Sequence, residues 1–489
     1  MSSDSTPALE TALYFDGLWH PSISNEWHQV RNPANGTVVG RVALACAEDV
    51  DRAVAVAQKA RRGWETTHAD SRAAVLHRAA DLIDARKENI ARTLTLEQGK
   101  PVIDSLKEIN FGIQVLHYYA EEGRRVGGSL RPASATGIKN IVSYAPVGVA
   151  AAIVPWNYPV DIYCWKVGPA LAAGCPIIVK PPPETPFAIG QVVACFEDAG
   201  LPPGVLGNLP GMGAVAGAAL SAHPGVALIS ATASVAAGQD IARRAAGNLK
   251  RLSLELGGHA PFIVLPDADI EAAASAAMRR SFSNMGQICI AVNRILVHRA
   301  VHAKFVEAMA TLTGEIKLGH GLDAGVTYGP TLNDTVVRRT QLHLADALAK
   351  GGRLVIGGAP PRSESLAHGS FFLPTLVDDA PLNSLPMTQE TFGPLAAIRG
   401  FDSLEEMLAI ANSLSFGLAA YVYTGDLALG WALAERLEFG AVGINVNDTS
   451  ELQAPFGGWK LSGMGRELGP EGLHAYLEPR HLKMRVPAV

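Results

Sequence analysis

Five cysteines in 489 residues, Cys46, Cys164, Cys175, Cys195 and Cys289, are odd in number and scattered without metal-ligand spacing. That pattern argues against a disulfide framework and against a zinc site, so no metal is expected. No run of lysine and arginine is present, and the formal net charge is −5, which removes nucleic acid from the expected partners. Long apolar runs are missing too: Val147 to Val154 stops at Pro155, far short of the roughly 20 residues that cross a bilayer. The start, Met1-Ser2-Ser3-Asp4-Ser5-Thr6-Pro7, has neither the positive n-region nor the apolar h-region of a secretory signal. A cytoplasmic protein without a membrane partner is the expectation. Absent as well is a Gly-x-Gly-x-x-Gly fingerprint after any predicted strand; Gly211-Met212-Gly213-Ala214-Val215-Ala216-Gly217 misses it by one residue.

What the chain has is apolar content, 48% against 18% charged residues, enough for a compact globular protein, and a length that favours two large lobes over one core. Residues 12 to 32 read as short strands and turns. Helical spacing then runs over 48–64, 69–88, 89–98 and 105–123, with Gly99 and Pro101 closing the third of these. The stretch 131–144 breaks that pattern and contains a strand-like alternation at 139–143. Beyond it, strands at 147–154, 175–179, 208–209, 226–230 and 251–256 alternate with helices at 167–173, 187–199 and 234–246, the mark of a parallel, doubly wound sheet. After Gly258 the alternation begins again, with strands at 262–265, 295–298, 353–356 and 420–423 and helices at 270–282, 301–315, 333–350, 407–412 and 427–437. Residues 473–485 form a last strand-like tail. The predicted fold class is α/β, two lobes with doubly wound parallel sheets.

Chemistry concentrates around Ser283-Asn284-Met285-Gly286-Gln287-Ile288-Cys289-Ile290-Ala291-Val292-Asn293-Arg294. A lone thiol there is either buried packing or a nucleophile. Upstream, Leu254-Glu255-Leu256-Gly257-Gly258 puts a carboxylate at the end of an apolar run, followed by glycines that permit close backbone approach. Further upstream, Pro155-Trp156-Asn157-Tyr158-Pro159 holds an amide between two prolines. Thiol, carboxyl and carboxamide together supply a nucleophile, a base and an oxyanion donor.

These segments, with Glu390-Thr391-Phe392-Gly393-Pro394 and Pro455-Phe456-Gly457-Gly458, resemble in order and spacing the signatures of the aldehyde dehydrogenase superfamily, from about Tyr14 to Tyr476. The resemblance implies a dinucleotide-binding domain over 1–128 and 146–256, a catalytic domain over 257–460, and a small β oligomerisation arm over 129–145 and 461–489 in a homodimer or homotetramer; a simple connecting hairpin is the other reading of 131–144. It implies Cys289 as nucleophile, Glu255 as base, Asn157 as oxyanion donor, and Lys166 with Glu467 as either a proton relay or a structural ion pair. Nearby positive charge and backbone donors are expected to lower the Cys289 pKa.

NAD is the implied cofactor, with NADP possible. The matching positions are Pro155, Trp156, Lys180, Pro183, Thr232, Ala233, Ser234, Gly238, Leu256, Glu390 and Phe392. Two of them depart from the family: Ala233 stands where glycine is usual, and Pro183 where a glutamate would repel a 2′-phosphate. Ala236, in the same phosphate turn, replaces the usual glutamate. The overall look is that of succinate-semialdehyde dehydrogenases, but Trp165 and Ser283 replace their two substrate arginines and only Ser450 matches. With Tyr158, Ile162, Ile288, Ile290 and Phe456 beside them, the tunnel reads as apolar and suited to an uncharged aromatic or medium-chain aldehyde. A semialdehyde or an aminoaldehyde held by Tyr158, Trp165 and Asp448 is the alternative. A catalytically idle dinucleotide-binding relative is the reading of a different class.

Overall fold

The computed structural model describes residues 9–486. Met1–Pro7, read above for a secretory signal, and residues 487–489 of the expected arm lie outside the described residues. Five short segments, Ala150–Ile153, Ile177–Lys180, Leu206–Asn208, Leu228–Thr232 and Arg251–Glu255, pair in parallel. In space their order is third, second, first, fourth, fifth, so the sheet changes its direction of growth between Ala150–Ile153 and Leu228–Thr232. In open α/β sheets the crevice outside the carboxyl ends at such a switch is where a ligand is held.

Both faces of this sheet are covered, which is why Ala150–Ile153 and the first three residues of Ile177–Lys180 are apolar. Alternate side chains go to different cores. Ala150, Ala152, Ile177 and Val179 meet the helices Ala69–Gln98, Val102–Arg124 and Pro159–Ala173, whereas Ala151, Ile153, Ile178 and Ile229 meet Ala47–Thr66 and Val235–Ala245. Antiparallel strands Leu13–Phe15, Leu18–His20 and Gly463–Met464 extend the sheet to eight.

A second sheet has seven strands with Val292–His298 at its centre, beginning three residues after Cys289. Ala260–Val264, Ala419–Tyr423 and Ala441–Ile444 lie to one side, and Leu395–Phe401, Thr375–Asp378 and the antiparallel Arg353–Ile356 to the other. A third, three-stranded sheet pairs Ile138–Pro146 with Leu477–Arg485 over nine residues and carries Ser129–Arg131 on its other edge. Leu130, Leu482 and Met484 are exposed there. Among the described residues no helix is long and apolar enough to cross a membrane.

Three expectations are corrected. The helices expected at 69–88 and 89–98 are one helix, Ala69–Gln98: no glycine or proline interrupts it before Gly99, whose φ of 98° ends it. The tail expected at 473–485 starts with the end of a helix, Gly469–His474, before its strand. Gly463–Met464, expected in the arm, instead pairs with Leu254 and Glu255 on the first sheet. Thr375–Asp378, Leu395–Phe401 and Ala441–Ile444 were not foreseen, being short buried or half-buried runs without a clear period.

Candidate active site

The nucleophile turn is built by main-chain strain and a buried amide. Helix Ile270–Phe282, capped by Asp269 through Ala272 N–H at 3.1 Å, runs into three successive residues with positive φ, Asn284, Met285 and Gly286. A Cβ on Gly286 would lie 2.2 Å from the Gly393 carbonyl oxygen, so only glycine fits there. Gln287 is fully buried. Its Nε2 donates to Asn284 O at 2.9 Å and its Oε1 accepts from Leu332 N–H at 2.8 Å. The turn thus delivers Cys289 in a fixed place whatever its own side chain does.

Asn157 precedes the helix Pro159–Ala173, with proline at the first helical position. Its Nδ2 donates to Gln287 O at 3.0 Å, which ties it to the nucleophile turn. Glu255 ends its strand in register with Thr232, and a Cβ on Gly258 would lie 2.3 Å from Cys289 O, so the glycines after Glu255 do permit the close approach read from the sequence. Burial, then Glu467, pushes the Glu255 carboxyl up to about 8, against the Cys289 thiol and Lys166, which pull it down. Its Oε1 is buried without a hydrogen-bond partner among the described residues. Lys166 Nζ lies 2.5 Å from Glu467 Oε1 and 3.3 Å from Ser230 Oγ, a buried pair whose two charges act on Glu255.

Among the described residues, no positive charge stands among the causes that shift the thiol. Burial, then the carboxyls of Glu255 and Glu390, pushes Cys289 well above its usual pKa. A carboxylate near a thiol raises its pKa by disfavouring the thiolate.

Of the residues matched to cofactor binding, Pro155, Trp156, Lys180, Pro183, Thr232, Ala233, Ser234 and Leu256 lie at or just beyond the carboxyl ends of the first sheet's strands, Gly238 lies in the helix Val235–Ala245, and Glu390 and Phe392 come from the segment before Leu395–Phe401 of the second sheet. Ile153, just before Pro155 and Trp156, is in register with Lys180, and Thr232 with Glu255. Lys180 is 6% exposed; its carbonyl accepts from Val154 N–H at 3.1 Å, and its Nζ makes no hydrogen bond among the described residues. Burial brings its pKa down to about 8, with Glu184 opposing. Thr232 Oγ1 is likewise buried and unpartnered. Ser234 caps Val235–Ala245 by accepting from Ala237 N–H at 3.3 Å, and Gly238 packs where a Cβ would meet Leu256 at 2.4 Å. Glu390 Oε1 accepts from Gly258 N–H at 3.1 Å, and Phe392 meets Trp156 edge-on at 5.5 Å. An unpartnered ammonium and hydroxyl at a switch point, beside the open end of a helix, fit a dinucleotide. Pro183 contributes no charge, but the next residue, Glu184, brings a carboxylate to Lys180. The near-fingerprint ends at Gly217, where a Cβ would be 3.8 Å from Lys180 Cδ.

Ala233 donates its N–H to Glu255 O at 3.0 Å and packs against the core behind the sheet. Its φ is not in the left-handed region, so this turn does not need glycine. Ala233→Gly is expected to leave dinucleotide affinity no weaker, while the added backbone freedom destabilises the fold by about 1 kcal/mol. Titration of NAD by tryptophan fluorescence together with a melting curve checks both; a tenfold loss of affinity would mean that the methyl shapes the phosphate turn.

A cavity of about 380 Å³ joins the reactive groups to all eight residues matched to substrate binding: Tyr158, Ile162, Trp165, Ser283, Ile288, Ile290, Ser450 and Phe456. Trp165 meets Phe456 edge-on at 5.3 Å and Phe111 at 6.2 Å. The tunnel is nonetheless not apolar. Asp104, Lys107, Glu108, Asp161, Arg280 and Asp448 also line it. Asp448 is taken up by Arg280 Nη2 at 2.6 Å, which removes it as a free charge for an aminoaldehyde cage. Arg280 also donates Nε to Asn447 O, and its Nη1 has no partner among the described residues. Sequence reading missed Arg280 because a cation in the last turn of a helix is what the helix dipole favours. Asp161 accepts from Trp165 Nε1 at 2.6 Å, an i, i+4 spacing that the sequence does carry.

The aldehyde dehydrogenase family pattern matches residues 19–482. The chain is 39% identical to the glutarate-semialdehyde dehydrogenase of Pseudomonas aeruginosa over 469 residues, 96% of each chain. It is also 39% identical to the NADP(+) succinate-semialdehyde dehydrogenase of Escherichia coli over 483 residues, 98% of each. Among solved structures, the succinate-semialdehyde dehydrogenase of Burkholderia pseudomallei superimposes with a TM-score of 0.95 at 41% identity, covering 97% of this chain and 98% of that one. With the sheet order, the cysteine turn and the cofactor edge all in agreement with that similarity, the chain belongs to the aldehyde dehydrogenase family, enzymes that oxidise aldehydes with NAD(P).

Proposed function

We propose that this enzyme oxidises an ω-oxo acid, a semialdehyde, to the free dicarboxylic acid through a covalent bond to Cys289. The observation that carries the chemistry is the convergence of Cys289, Glu255 and Asn157 on one cavity. Glu255 takes the thiol proton, and Sγ attacks the aldehyde carbon. The resulting oxyanion accepts from Asn157 Nδ2 and the Cys289 N–H, each donor contributing about 3 kcal/mol in acyl transfer. NAD(P), held along the edge marked by Lys180, Thr232 and Ser234, would supply the hydride acceptor that turns this adduct into a thioester on Cys289. Once Glu255 has passed the thiol proton to bulk water, it takes a proton from the water that attacks the thioester and returns that proton to the leaving thiolate, which releases the acid and the thiol. Lys166 and Glu467 set how readily Glu255 holds that proton. A base of this kind favours water over a larger acyl acceptor and so a free acid.

Arg280 supports the substrate class. A guanidinium with open donors in this tunnel can take a carboxylate end-on, and the similar enzymes are named for glutarate and succinate semialdehydes. Asp161, buried beside Tyr158 and Trp165, favours a second reading, an aminoaldehyde. A panel of succinic semialdehyde, glutaric semialdehyde, 4-aminobutanal and hexanal, run with NAD and with NADP, separates them. The semialdehydes are expected to lead in kcat/KM, and Arg280→Met to lower theirs at least about tenfold while hexanal changes little. Hexanal or 4-aminobutanal as the best substrate would overturn the assignment. Glu184 beside Lys180 supports NAD over NADP in the same assay, since it would repel a 2′-phosphate. We further propose a cytoplasmic homodimer or homotetramer joined through the three-stranded arm with its exposed Leu130, Leu482 and Met484. Sedimentation as a monomer would refute the assembly.

A further inference from the structure

Lys100 follows the glycine that ends the helix Ala69–Gln98 and is only 2% exposed. Its Nζ donates to the Asn157 carbonyl oxygen at 2.7 Å and to Glu108 Oε2 at 2.5 Å, and lies 3.9 Å from the centre of the Tyr158 ring. Glu108, 3% exposed, uses its other oxygen to accept from Val160 N–H at 2.9 Å and Asp161 N–H at 3.4 Å. The helix Pro159–Ala173 has no side-chain cap of its own, so Glu108 satisfies the free N–H groups of its first turn from another helix. The ion pair therefore grips both sides of one turn, the carbonyl before the helix and the amides that begin it. A second hold converges on the same carbonyl: Asn284 Nδ2 donates to Asn157 O at 3.0 Å, and Gln98 Nε2 holds Asn284 Oδ1 at 3.0 Å.

We infer that Lys100 and Glu108 are positioning residues for aldehyde oxidation, acting through Asn157 by fixing the backbone from which its Nδ2 reaches the reacting carbonyl. Buried ion pairs are poor devices for stability alone, since apolar replacements often do as well. This pair spends its hydrogen bonds on main-chain atoms next to the oxyanion donor. A displacement of about 1 Å there is enough to slow the chemistry about a hundredfold. The inference rests on the reading of Asn157 as that donor.

A double-mutant cycle on the first turnover tests it. Acylation is read as the single-turnover appearance of reduced NAD in Lys100→Met, Asn157→Ala and the double variant. The alkylation rate of Cys289 by iodoacetamide and the affinity for NAD serve as readouts that an intact fold leaves in place. Lys100→Met is expected to slow acylation about a hundredfold with alkylation and affinity unchanged, and the double variant to be no slower than Asn157→Ala within about twofold. If Lys100→Met does not fold, the cycle is run with Glu108→Asp, which keeps both charges and withdraws the acid from the Val160 and Asp161 amides; about a tenfold loss, again not additive with Asn157→Ala, is expected. Losses that multiply, or wild-type acylation in the folded Lys100 or Glu108 variant beside an impaired Asn157→Ala, overturn the positioning role and leave the oxyanion assignment standing. Wild-type acylation in Asn157→Ala overturns both.

Discussion

Cys289→Ser is expected to turn over at less than about a hundredth of the wild-type rate while binding NAD with unchanged affinity. The turn that carries residue 289 is held by Gly286 against Gly393 and by the buried Gln287, none of which depends on the thiol. The cofactor edge of the first sheet is likewise untouched. What changes is the ionisation of the nucleophile. Burial together with Glu255 and Glu390 already pushes the thiol well above its usual pKa, and an alcohol starts far higher still. Initial rates with succinic semialdehyde and quenching of the seven tryptophans by NAD measure the two halves of this expectation. Turnover above about a hundredth would remove Cys289 from its role.

Glu255→Gln is expected to release close to one equivalent of reduced cofactor per site, more slowly than the wild type, and then to stall. An amide can neither take the thiol proton nor accept one from water. The first loss slows the burst and the second stops the cycle at the thioester. In the wild type, a base that must be deprotonated and whose pKa is raised to about 8 makes hydrolysis faster as pH rises towards about 8 and level beyond it. That limb should vanish in Glu255→Gln. Stopped-flow absorbance over a pH series reads amplitude, burst rate and limb together. A variant without a burst would confine Glu255 to the step before hydride loss.

That Cys289, Glu255 and Asn157 belong together was legible in the sequence, and they do line one cavity, because the segments of the first two carry local marks that the packing requires. Gly258 is glycine because the Cys289 carbonyl packs against it, and Gly286 because the Gly393 carbonyl does. The parallel sheet was legible for a similar reason, since strands covered on both faces, Ala150–Ile153 above all, are largely apolar. Charges brought into the tunnel from the middle or end of helices were not legible. Arg280, Lys107, Asp104 and Asp161 have the spacing of ordinary helical surface residues, and only the packing of Val102–Arg124 against Pro159–Ala173 turns some of them inward. The thiol environment failed for the same cause. The carboxyls that act on Cys289 are those of Glu255, whose approach Gly258 marks, and of Glu390, whose approach no local pattern records.

The covalent route through Cys289 is tested most directly by mixing Glu255→Gln with succinic semialdehyde and NAD, quenching in acid and mapping the peptides by mass spectrometry. The expected result is an acyl group on the Cys289 peptide, equal in amount to the burst of reduced cofactor and removed by hydroxylamine. A full burst with Cys289 unmodified, or with the acyl group on any other residue, would contradict it.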